Sequence, residues 1–476
     1  MSVDTDTHWA LRRTGTRPRL SDEQAAQVTR AEVLRRTGAA GAERADPWDP
    51  APRLPDPGHD LLVAPGQPGA FATIQSAVEA GMARARATGM GGHLRIAIAP
   101  GRHKGLVYLP RAAVNGQPLR FTLTGLGATP AEVVIEDGID AEMPGSEYSA
   151  RFGAQFAGAS PETRAIFTRI AARDTLSTAN ASVLRVEAED TQLFNLTIRN
   201  SYGCDRADAT PIGTPMTAQG FSRGQHQAVA LLSAGADRLV LGHVHLKSFQ
   251  DTLYLQSPDK RSTCRSFLFA CDIEGDVDFI FGQSTAWFED CTIRALGSRG
   301  AHCWLTAPST HILTPWGFVF HGCRLTHDGS PRIREGRTNL GRQWFEGVRA
   351  TPYGRSPVPG FAVTRGQESR YDPPTGTISD ASLYSVGKCL WLSCAMGPHI
   401  NRAAPWDDWS GPGYDTSGGL RPGDWAPRYR PVQTGAADMH RFLATWDDTL
   451  PAGPDFPWLG EHATTDLPDD LPEAAS

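Results

Sequence analysis

The sequence predicts an all-β protein built as a parallel β-solenoid. Glycine and proline are abundant, with 49 and 36 of 476 residues, which is typical of a loop-rich β protein and not of a helical bundle. A short strand-like phrase, apolar residues followed by a pair such as Cys-x-Ile, recurs along the chain. The chain is longer than one compact domain usually is, but a solenoid can grow without a second core.

The repeats can be aligned on one apolar position in each copy. The aligned residues are Leu196, Val244, Cys271, Cys291, Cys323 and Cys394, and the steps between them are 48, 27, 20, 32 and 71 residues. The shorter steps fit one turn of a solenoid, and the longer ones fit turns that carry an insertion or a weaker repeat. Equivalent positions in successive turns lie roughly 4.8 Å apart, the spacing of neighbouring strands.

The alignment also gives the cysteines a role. Four of the eight occupy the aligned position, so they are expected to be small buried hydrophobes in a stack. The chain has neither a CxxC pair nor a suitable histidine cluster, which argues against metal ligation. A disulfide between Cys264 and Cys271, or between Cys389 and Cys394, stays open.

Three segments precede the repeats. Residues 21–37 have a helix start and helical apolar spacing, which predicts a short helix that is a cap or an appendage. Residues 46–60 are proline-rich, as expected of an extended linker around the first turn. In residues 71–89, Ile74, Val78 and Met82 lie at four-residue spacing, which predicts an amphipathic helix that caps the N-terminal end of the coil.

The rest of the chain divides into strands, insertions and a tail. Residues 94–100 and 119–127 alternate with period two, as strands do. Residues 141–182 and 345–386 lack periodicity and predict long insertions, which either line the binding face or are passive loops. We therefore expect an N-terminal extension and linker at 1–60, a parallel β-helix domain at 61–410, and a partly irregular tail at 411–476.

Two aspartates occupy matched positions in successive repeats. Asp251 lies seven residues after Val244, and Asp278 lies seven residues after Cys271, so the two carboxyls are expected to be neighbours. An isolated aspartate in a repeat is more often a turn residue that bonds its own backbone. Two carboxylates this close cannot both ionise easily, so one retains a proton. Such a pair provides one nucleophile or base and one acid.

Charge and hydropathy exclude several classes of function. The formal net charge of −6 and the pI of about 6.2 give no reason to expect nucleic acid as a partner. A mildly acidic protein also repels a strongly anionic polymer, which favours a substrate whose carboxyls are capped. Residues 1–20 have no apolar core of the kind a secretory signal needs, and no later run has the length needed to cross a bilayer.

Four ordered motifs then resemble those of the pectin methylesterases, the pectinesterases of carbohydrate esterase family 8. They are QAVAL at Gln227–Leu231, QDTLY at Gln250–Tyr254, GDVDFIFG at Gly275–Gly282 and LGRQW at Leu340–Trp344. The resemblance runs from about residue 61 to about residue 410. The long insertions are closest in style to bacterial members that act on oligomers. The resemblance implies a right-handed parallel β-helix with a short N-terminal capping helix and long loop insertions.

The resemblance also assigns catalytic roles. Asp278 matches the nucleophile that attacks the methyl-ester carbonyl at C6 of a galacturonate unit. Asp251 matches the acid that protonates the departing methoxide and then the base for the hydrolytic water. Gln227 and Gln250 match the amides that bind the oxyanion, and Arg342 matches the residue that keeps Asp278 ionised. The family needs no metal and no cofactor for this reaction.

Aromatic residues of the same motifs are expected to bind the sugar. Trp344 and Phe281 are the leading candidates, followed by Tyr254, because aromatic faces cover the C–H side of a pyranose ring. Trp344 lies two places from Arg342 on a strand and therefore points to the same side. The alternation of VDFIFG places Phe279 on the other face from Asp278.

The sequence departs from the family pattern at two positions. Gln343 stands where the family has proline in LGRPW, which is expected to loosen the strand end that presents Arg342. Gly105 stands where members often have glutamate. Neither change removes a reacting group, so the sequence still predicts an active esterase.

Alternatives remain at the level of function and location. One rival is a polysaccharide lyase or a glycosidase on the same coil, and another is a non-catalytic carbohydrate-binding solenoid. The expected partner is methyl-esterified pectin or oligogalacturonides, and the expected state is a monomer with no membrane span. The family is usually exported, so the lack of a secretory signal in residues 1–20 is a departure from it. The chain is expected to be cytoplasmic as written, or secreted or outer-membrane-associated if a leader is missing.

Overall fold

The computed structural model describes residues 17–54, 58–202, 227–299, 303–331, 333–344, 362–364, 377–379, 384–407, 410–414, 420–427, 432–437, 451 and 453–468. The helices in these ranges are α1 (Asp22–Gln27), α2 (Arg30–Val33), α3 (Ile74–Thr88), α4 (Gly145–Phe156) and α5 (Pro161–Ala171). Short 3₁₀ helices lie at Pro130–Glu132, Thr178–Asn180 and Ile333–Glu335.

Most of the regular secondary structure in the described residues is strand. The first group is β1 (Arg36–Ala39), β2 (Arg44–Ala45), β3 (Leu61–Val63), β4 (Gly92–Ile98), β5 (Gly101–Lys104), β6 (Val107–Leu109), β7 (Ala113–Val114), β8 (Gln117–Gly125), β9 (Val133–Asp137), β10 (Ser182–Val186) and β11 (Gln192–Asn200). The second group is β12 (Val229–Ala234), β13 (Leu239–Lys247), β14 (Leu253–Gln256), β15 (Ser262–Thr263), β16 (Arg265–Phe269), β17 (Asp272–Gly275), β18 (Ile280–Gly282), β19 (Thr285–Glu289), β20 (Thr292–Ala295) and β21 (Cys303–Pro308). The third group is β22 (Phe318–His321), β23 (Arg324–His327), β24 (Thr338–Arg342), β25 (Ala362–Thr364), β26 (Thr377–Ser379), β27 (Cys389–Leu392), β28 (Ala395–Met396), β29 (Trp406–Asp407), β30 (Ser410–Tyr414), β31 (Leu420–Pro427), β32 (Leu459–His462) and β33 (Thr465–Asp466).

The strands stack into a parallel β-helix, as predicted. Sheet A has the order β29-β24-β21-β18-β14-β12-β10-β6. Sheet B runs β3-β4-β8-β11-β13-β16-β19-β22-β27-β32, and sheet C runs β5-β9-β11-β13-β17-β20-β23-β28-β33. Strands β11 and β13 are long enough to belong to both. A continuous apolar core fills the space between the sheets.

The register of sheets B and C confirms the alignment of the repeats. Leu196 pairs with Val244 directly. One residue after the aligned position, the pairs are His245 with Asp272, Asp272 with Thr292, Thr292 with Arg324 and Arg324 with Ala395. The four aligned cysteines are fully or almost fully buried, as predicted. All seven cysteines in the described ranges are free thiols, so neither of the disulfides left open is formed.

A left-handed residue precedes the aligned position in each turn. These residues are Asn195, His243, Ala270, Asp290, Gly322 and Ser393, and their φ angles lie between 49° and 66°. A single residue of this conformation bends the chain sharply without a loop. The bend between sheets B and C is therefore of the same kind in these six turns, which explains why the aligned position stays in register across insertions of different length.

Helix α3 caps the N-terminal end of the coil, as predicted. Thr73 accepts a hydrogen bond from the backbone of Ser76, the side chain of Ser76 bonds back to Thr73, and left-handed Gly89 ends the helix. Its apolar side, which includes Val78 and Met82, is buried on the first strands.

The insertion at 141–182 is more regular than predicted. It contains α4 and α5, which we call the helical hairpin. Tyr148, Phe152 and Phe156 lie at four-residue spacing along α4 and bury one face of it. The four-residue spacing is present in the sequence, but the segment has a low overall hydropathy and was therefore predicted to lack periodicity. The other predicted insertion, 345–386, lies mostly outside the described residues, apart from the pair of short parallel strands β25 and β26 and residues 384–386.

The N-terminal segment neither caps the coil nor hangs from it. Residues 17–48, which we call the N-terminal strap, lie along the outer face of sheet B. The apolar side chains of the strap, Leu20, Val28, Val33 and Leu34, pack on outward residues of that sheet, including Phe267, Trp287, Val319 and Leu390. The strap therefore covers an apolar stripe that sheet B would otherwise expose.

Polar contacts fix the strap at both ends. Arg17 binds both carboxylate oxygens of Glu461 on β32, at 2.9 and 3.0 Å, and the backbone of Leu20 donates to the Glu461 carbonyl at 2.9 Å. Near the other end, fully buried Arg265 donates to the carbonyl of Leu34 and to the carboxylates of Asp46 and Asp237. The strap thus reaches from the last turn of the coil towards its first.

The coil also extends past the predicted boundary at residue 410. Strands β32 and β33 pair in parallel with β27 and β28 and add one more turn. Trp458 and Leu459 are almost fully buried there. This turn has only eight residues and lies in an acidic, proline-rich segment, so the sequence pattern did not predict it.

Candidate active site

Asp251 and Asp278 lie at matched positions on adjacent turns of sheet A. The register pairs Leu253 with Ile280 and Tyr254 with Phe281, so two residues earlier Asp251 corresponds to Asp278. The backbone N–H of Asp251 donates to the carbonyl of Val277 at 3.1 Å, which extends the backbone hydrogen bonding between the two turns to the two aspartates. The register inferred from the sequence is therefore confirmed.

Both aspartates have a backbone conformation that few residues adopt. Their φ angles are +66° for Asp251 and +51° for Asp278. Non-glycine residues in this region are uncommon, and aspartate and asparagine tolerate it best. Such conformations cluster at functional sites, where the surrounding structure holds them.

Burial raises the pKa of both carboxyls, but not equally. Asp251 and Asp278 are 7% and 5% exposed. Burial, followed by the charge of Asp278, raises the pKa of Asp251 well above its usual value. Burial also raises the pKa of Asp278, but Arg342 opposes that rise through its charge and its hydrogen bonds. The pair therefore holds a shared proton on Asp251 in preference to Asp278.

Arg342 reaches Asp278 from two strands away. Its Nε and Nη2 atoms donate to the two carboxylate oxygens of Asp278 at 2.8 and 2.7 Å. This two-pronged contact is the strongest geometry available to a guanidinium and a carboxylate. The contact between these residues is as the sequence predicted.

The guanidinium of Arg342 also lies on an indole ring that the sequence did not reveal. Its Cζ atom is 4.2 Å from the ring centroid of Trp304 on β21. The Nε1–H of Trp304 donates to Oδ2 of Asp407 at 2.9 Å. Trp304 and Asp407 lie outside the four motifs, and their contact joins positions 103 residues apart.

A second arginine–aspartate pair flanks Asp251 and Asp278, which we call the dyad. Arg299 donates to both carboxylate oxygens of Asp276 and lies 5.2 Å from the centroid of the Phe249 ring. Asp276 raises and Arg299 lowers the pKa of Asp251. Asp276 lies two residues before Asp278 within the GDVDFIFG segment, and that proximity could have identified it from the sequence.

The three aromatic candidates come together beside the carboxylates. The rings of Tyr254 and Phe281 are stacked, with centroids 4.1 Å apart and planes 21° apart. Trp344 meets both rings edge-on, with centroid distances of 6.1 and 5.8 Å. Phe279 is fully buried in the core, as its place in the alternating pattern predicted.

The two glutamines lie just before the neighbouring strands β12 and β14 of the same sheet. Gln227 and Gln250 form an isolated parallel bridge, and the N–H of Ala228 donates to the carbonyl of Gln250 at 3.1 Å. Oε1 of Gln227 is buried and has no hydrogen-bond partner among the described residues. A buried amide atom without a partner is expected where a ligand completes the bond.

The two departures from the family pattern have structural explanations. Gln343 does not loosen the strand end, because it is 2% exposed and its side chain is tied at both atoms. Its Nε2 donates to the carbonyl of Gly387 at 3.0 Å, and its Oε1 accepts from the N–H of Gln433 at 2.9 Å. Gly105 has a φ of +111°, and a Cβ there would lie 2.8 Å from the side chain of Gln155 in the helical hairpin.

The helical hairpin covers one end of the face that carries the aromatic residues. In sheet A the register connects Tyr108 through Arg185 and Leu232 to Tyr254. Tyr108 is fully buried, its ring stacks on Phe156 at 4.9 Å, and its hydroxyl bonds that of Tyr148 at 2.7 Å. Arg185 and Leu232, which lie between Tyr108 and Tyr254, are 7% and 0% exposed, so this stretch of the face is covered over about three strand spacings, roughly 14 Å.

In the described ranges, no three His, Cys, Asp or Glu side chains come together as a set that could hold a metal ion. Of the helices in the described part of the chain, none is long and apolar enough to cross a membrane.

Comparisons with known proteins identify relatives of this chain. The Pectinesterase family model matches residues 216–351. The chain is 31% identical over 356 residues to pectinesterase B of Dickeya dadantii, covering 71% of this chain and 76% of that protein. It is also 31% identical over 355 residues to pectinesterase B of Pectobacterium parmentieri, covering 71% and 82%.

A solved structure agrees with the fold. Rice weevil pectin methyl esterase superposes with a TM-score of 0.66 at 22% identity, covering 95% of this chain and 98% of that one. Fold and relatives together define a carboxylic ester hydrolase on a right-handed parallel β-helix. Within that class, the chain belongs to the pectinesterase family.

Proposed function

We propose that this protein hydrolyses the C6 methyl esters of galacturonate units, in pectin or in methylated oligogalacturonides, and releases methanol. The observation that carries the proposal is the asymmetry of the carboxylate pair. Arg342 binds both oxygens of Asp278, while Asp251 on the adjacent turn has its pKa raised well above the usual value. One carboxyl is thereby prepared to attack and the other to donate a proton.

In the first half of the reaction, an oxygen of Asp278 attacks the ester carbonyl carbon. A tetrahedral intermediate forms and collapses with cleavage of the bond to methoxide. Asp251 gives its proton to that oxygen, so methanol leaves as a neutral molecule. The sugar carboxyl is then joined to Asp278 as an anhydride, and Asp251 is left as a carboxylate.

In the second half, water replaces methanol. Asp251 takes a proton from the water as its oxygen attacks the sugar carbonyl of the anhydride. The bond to Asp278 breaks, and its carboxylate returns to Arg342. The product is a free galacturonate carboxyl, which gives up its proton to solvent, and the dyad is restored with the proton on Asp251.

Each tetrahedral intermediate develops negative charge on the former carbonyl oxygen. Gln227 and Gln250 lie just before strands β12 and β14, beside Asp251, and we assign them as donors to this oxygen. The unpartnered amide atom of Gln227 supports this assignment, because a half-turn of the amide puts an N–H donor at the same place.

The aromatic patch of Tyr254, Phe281 and Trp344 is assigned to the sugar. Its members pack against one another and against the apolar cluster of Val229 and Leu232, so the patch is rigid before a ligand arrives. A preformed apolar surface beside buried charges suits a pyranose ring whose carboxyl is methylated.

A methanol-release assay on highly methylated pectin, with and without a chelator, tests the proposal. Methanol release with no change in the number of reducing ends and no unsaturated product would support an esterase. New reducing ends would indicate a glycosidase, and absorbance from an unsaturated uronate would indicate a lyase. Binding without any of these products would indicate a carbohydrate-binding solenoid.

A further inference from the structure

We propose that Trp304 and Asp407 are positioning residues, which hold the guanidinium of Arg342 in the orientation that binds Asp278. The inference rests on the proposed role of Asp278 as nucleophile. It goes beyond that role because it concerns how the arginine is kept in place, and because neither residue belongs to the motifs that the family shares with this chain.

The side chain of Arg342 has to extend across a neighbouring strand to reach Asp278. Arg342 is on β24 and Asp278 precedes β18, and β21 lies between them in sheet A. The side chain therefore spans two strand spacings, about 10 Å, to make its two hydrogen bonds. A flexible side chain of this length loses much rotamer freedom when it is held at one point only.

Trp304 supports the guanidinium at the middle of this span. The ring lies on β21, and the Cζ atom of Arg342 is 4.2 Å from its centroid. The Nε and Nη2 atoms on one edge of the guanidinium donate to Asp278. The indole ring therefore contacts the flat face of the guanidinium, which those hydrogen bonds leave uncovered. Trp304 is partly buried, and the arginine side chain is 12% exposed, which limits the competition from water.

Asp407 fixes the indole in turn. Its Oδ2 accepts from Nε1 of Trp304 at 2.9 Å, and its backbone is paired with that of Arg342 in sheet A. The contacts therefore run from Asp278 to Arg342, from Arg342 to Trp304, and from Trp304 to Asp407 on the strand beside Arg342. Displacing any member of this set moves the next.

The electrostatic role of Asp407 predicts the opposite effect from its positioning role. Its negative charge raises the pKa of Asp278, as does that of Asp276, while Arg342 lowers it. Arg299 also faces the dyad, and its charge lowers the pKa of Asp251. Removal of the Asp407 charge alone should therefore make Asp278 more acidic. Loss of the support for Arg342 should make Asp278 less acidic.

The test compares Trp304→Ala with Trp304→Phe, and Asp407→Leu with Asp407→Asn, in kcat, KM and the pH profile of kcat/KM on a methylated oligogalacturonide. Trp304→Ala should lower kcat roughly tenfold and move the acid limb to higher pH by about half a unit or more. Trp304→Phe keeps an aromatic face and should recover most of both effects.

The variants Asp407→Asn and Asp407→Leu separate the hydrogen bond that Asp407 accepts from Trp304 from the effect of its negative charge. Asp407→Asn keeps an acceptor for the indole, so kcat should stay within about twofold and the acid limb should move to lower pH. Asp407→Leu loses the acceptor, and kcat should fall several-fold further. If the two variants behave alike, or if Trp304→Ala changes only KM, the positioning role is wrong and Trp304 is a sugar contact or a packing residue.

Two controls make the result unambiguous. Thermal unfolding of each variant identifies any that does not fold, and the Asp407 pair still decides the question if Trp304→Ala is lost. Asp278→Asn is assayed alongside. If Asp278→Asn remains active, the proposed catalytic role has failed. If it is inactive while the Trp304 and Asp407 variants all retain wild-type kcat and pH profiles, only the positioning inference has failed.

Discussion

Asp251 and Asp278 share one register position on adjacent turns, and both hold a left-handed backbone, with φ of +66° and +51°. The two carboxyls are thus presented by the same local bend repeated one turn apart. Asparagine tolerates this conformation nearly as well as aspartate does. Asparagine is therefore the substitution that removes the chemistry of either residue with the least change of fold.

The first prediction concerns Asp278→Asn. The amide cannot form the anhydride, so methanol release should fall by at least about a thousandfold, with substrate binding retained. The measurement is kcat on methylated pectin together with the dissociation constant for an oligogalacturonide. Activity near that of the wild-type protein, with an unchanged melting temperature, would exclude Asp278 as the nucleophile.

The second prediction separates the role of Asp251 from that of Asp278. Asp251→Asn should also lose turnover of methyl esters, because an amide cannot protonate methoxide. An activated aryl ester of galacturonate has a leaving group that needs no proton. With that substrate, Asp251→Asn should release a burst of about one equivalent of the phenol and then stop at the anhydride, whereas Asp278→Asn should show no burst. A burst from both variants, or from neither, contradicts the assignment.

The third prediction concerns Gln343. Gln343→Ala leaves the carbonyl of Gly387 and the N–H of Gln433 without their partner, at a cost of about 1–3 kcal/mol in the free energy of unfolding. Because Gln343 stands between Arg342 and Trp344, kcat should fall as well. Urea unfolding and steady-state kinetics measure the two effects. The control is Gln67→Ala, at an exposed position, and equal behaviour of the two variants would contradict the anchoring role.

The fourth prediction is a dependence of stability on pH that comes from His399. Both ring nitrogens of His399 are buried and have no hydrogen-bond partner among the described residues, and His327 and Arg402 lie close enough to oppose a positive charge. Burial lowers its pKa to about 3. An unfolded histidine has a pKa of about 6.5, so the unfolded chain binds the proton first as the pH falls.

The stabilisation by neutral His399 is therefore complete above about pH 6.5 and is lost progressively towards pH 3. Between pH 7.5 and pH 4.5 the wild-type protein should lose on the order of 2 kcal/mol more unfolding free energy than His399→Gln. The difference between the two proteins isolates His399, since the buried carboxylates are common to both. His59→Gln, at an exposed position, is the matched control and should follow the wild-type curve.

The fifth prediction concerns substrate length. The helical hairpin buries Tyr108 at one end of the face that carries Tyr254, so a long polymer cannot lie across that end. Rates per ester should be higher on methylated oligogalacturonides than on long pectin. Phe156→Ala loosens the hairpin and should narrow that difference, whereas Thr168→Ala, at an exposed position of the same hairpin, should not. Equal rates of the wild-type protein on oligomers and polymer would contradict this.

The sequence could predict the register of the dyad because a solenoid has a period. Val244 and Cys271 are equivalent, so everything at a fixed distance from them is equivalent too, and Asp251 and Asp278 follow without any knowledge of the loops. The contact between Arg342 and Asp278 came from a motif resemblance, and the structure bears it out. Local pattern also sufficed for the capping helix at Ile74–Thr88.

The features that the sequence did not predict depend mostly on contacts between distant residues, which a local sequence pattern does not indicate. Trp304 meets Asp407 because two turns of the coil bring them together, and neither belongs to a periodic set. The docking of the strap was missed because its partners are outward residues of sheet B, which the apolar pattern of the strap itself does not indicate. Tyr148, Phe152 and Phe156 did carry a helical signal, which went unnoticed between polar neighbours.

The contact between Arg17 and Glu461 has a consequence for the order of folding. A stack of repeats with only nearest-neighbour contacts can unravel rung by rung from an exposed end. Here Arg17 is bound to the rung formed by β32, so that rung cannot fray without also releasing the strap from sheet B. Residues 17–20 are synthesised well before β32 and cannot dock until that strand has been made and stacked. This closure should turn a modular stack into a single cooperative unit that is completed only once β32 is in place.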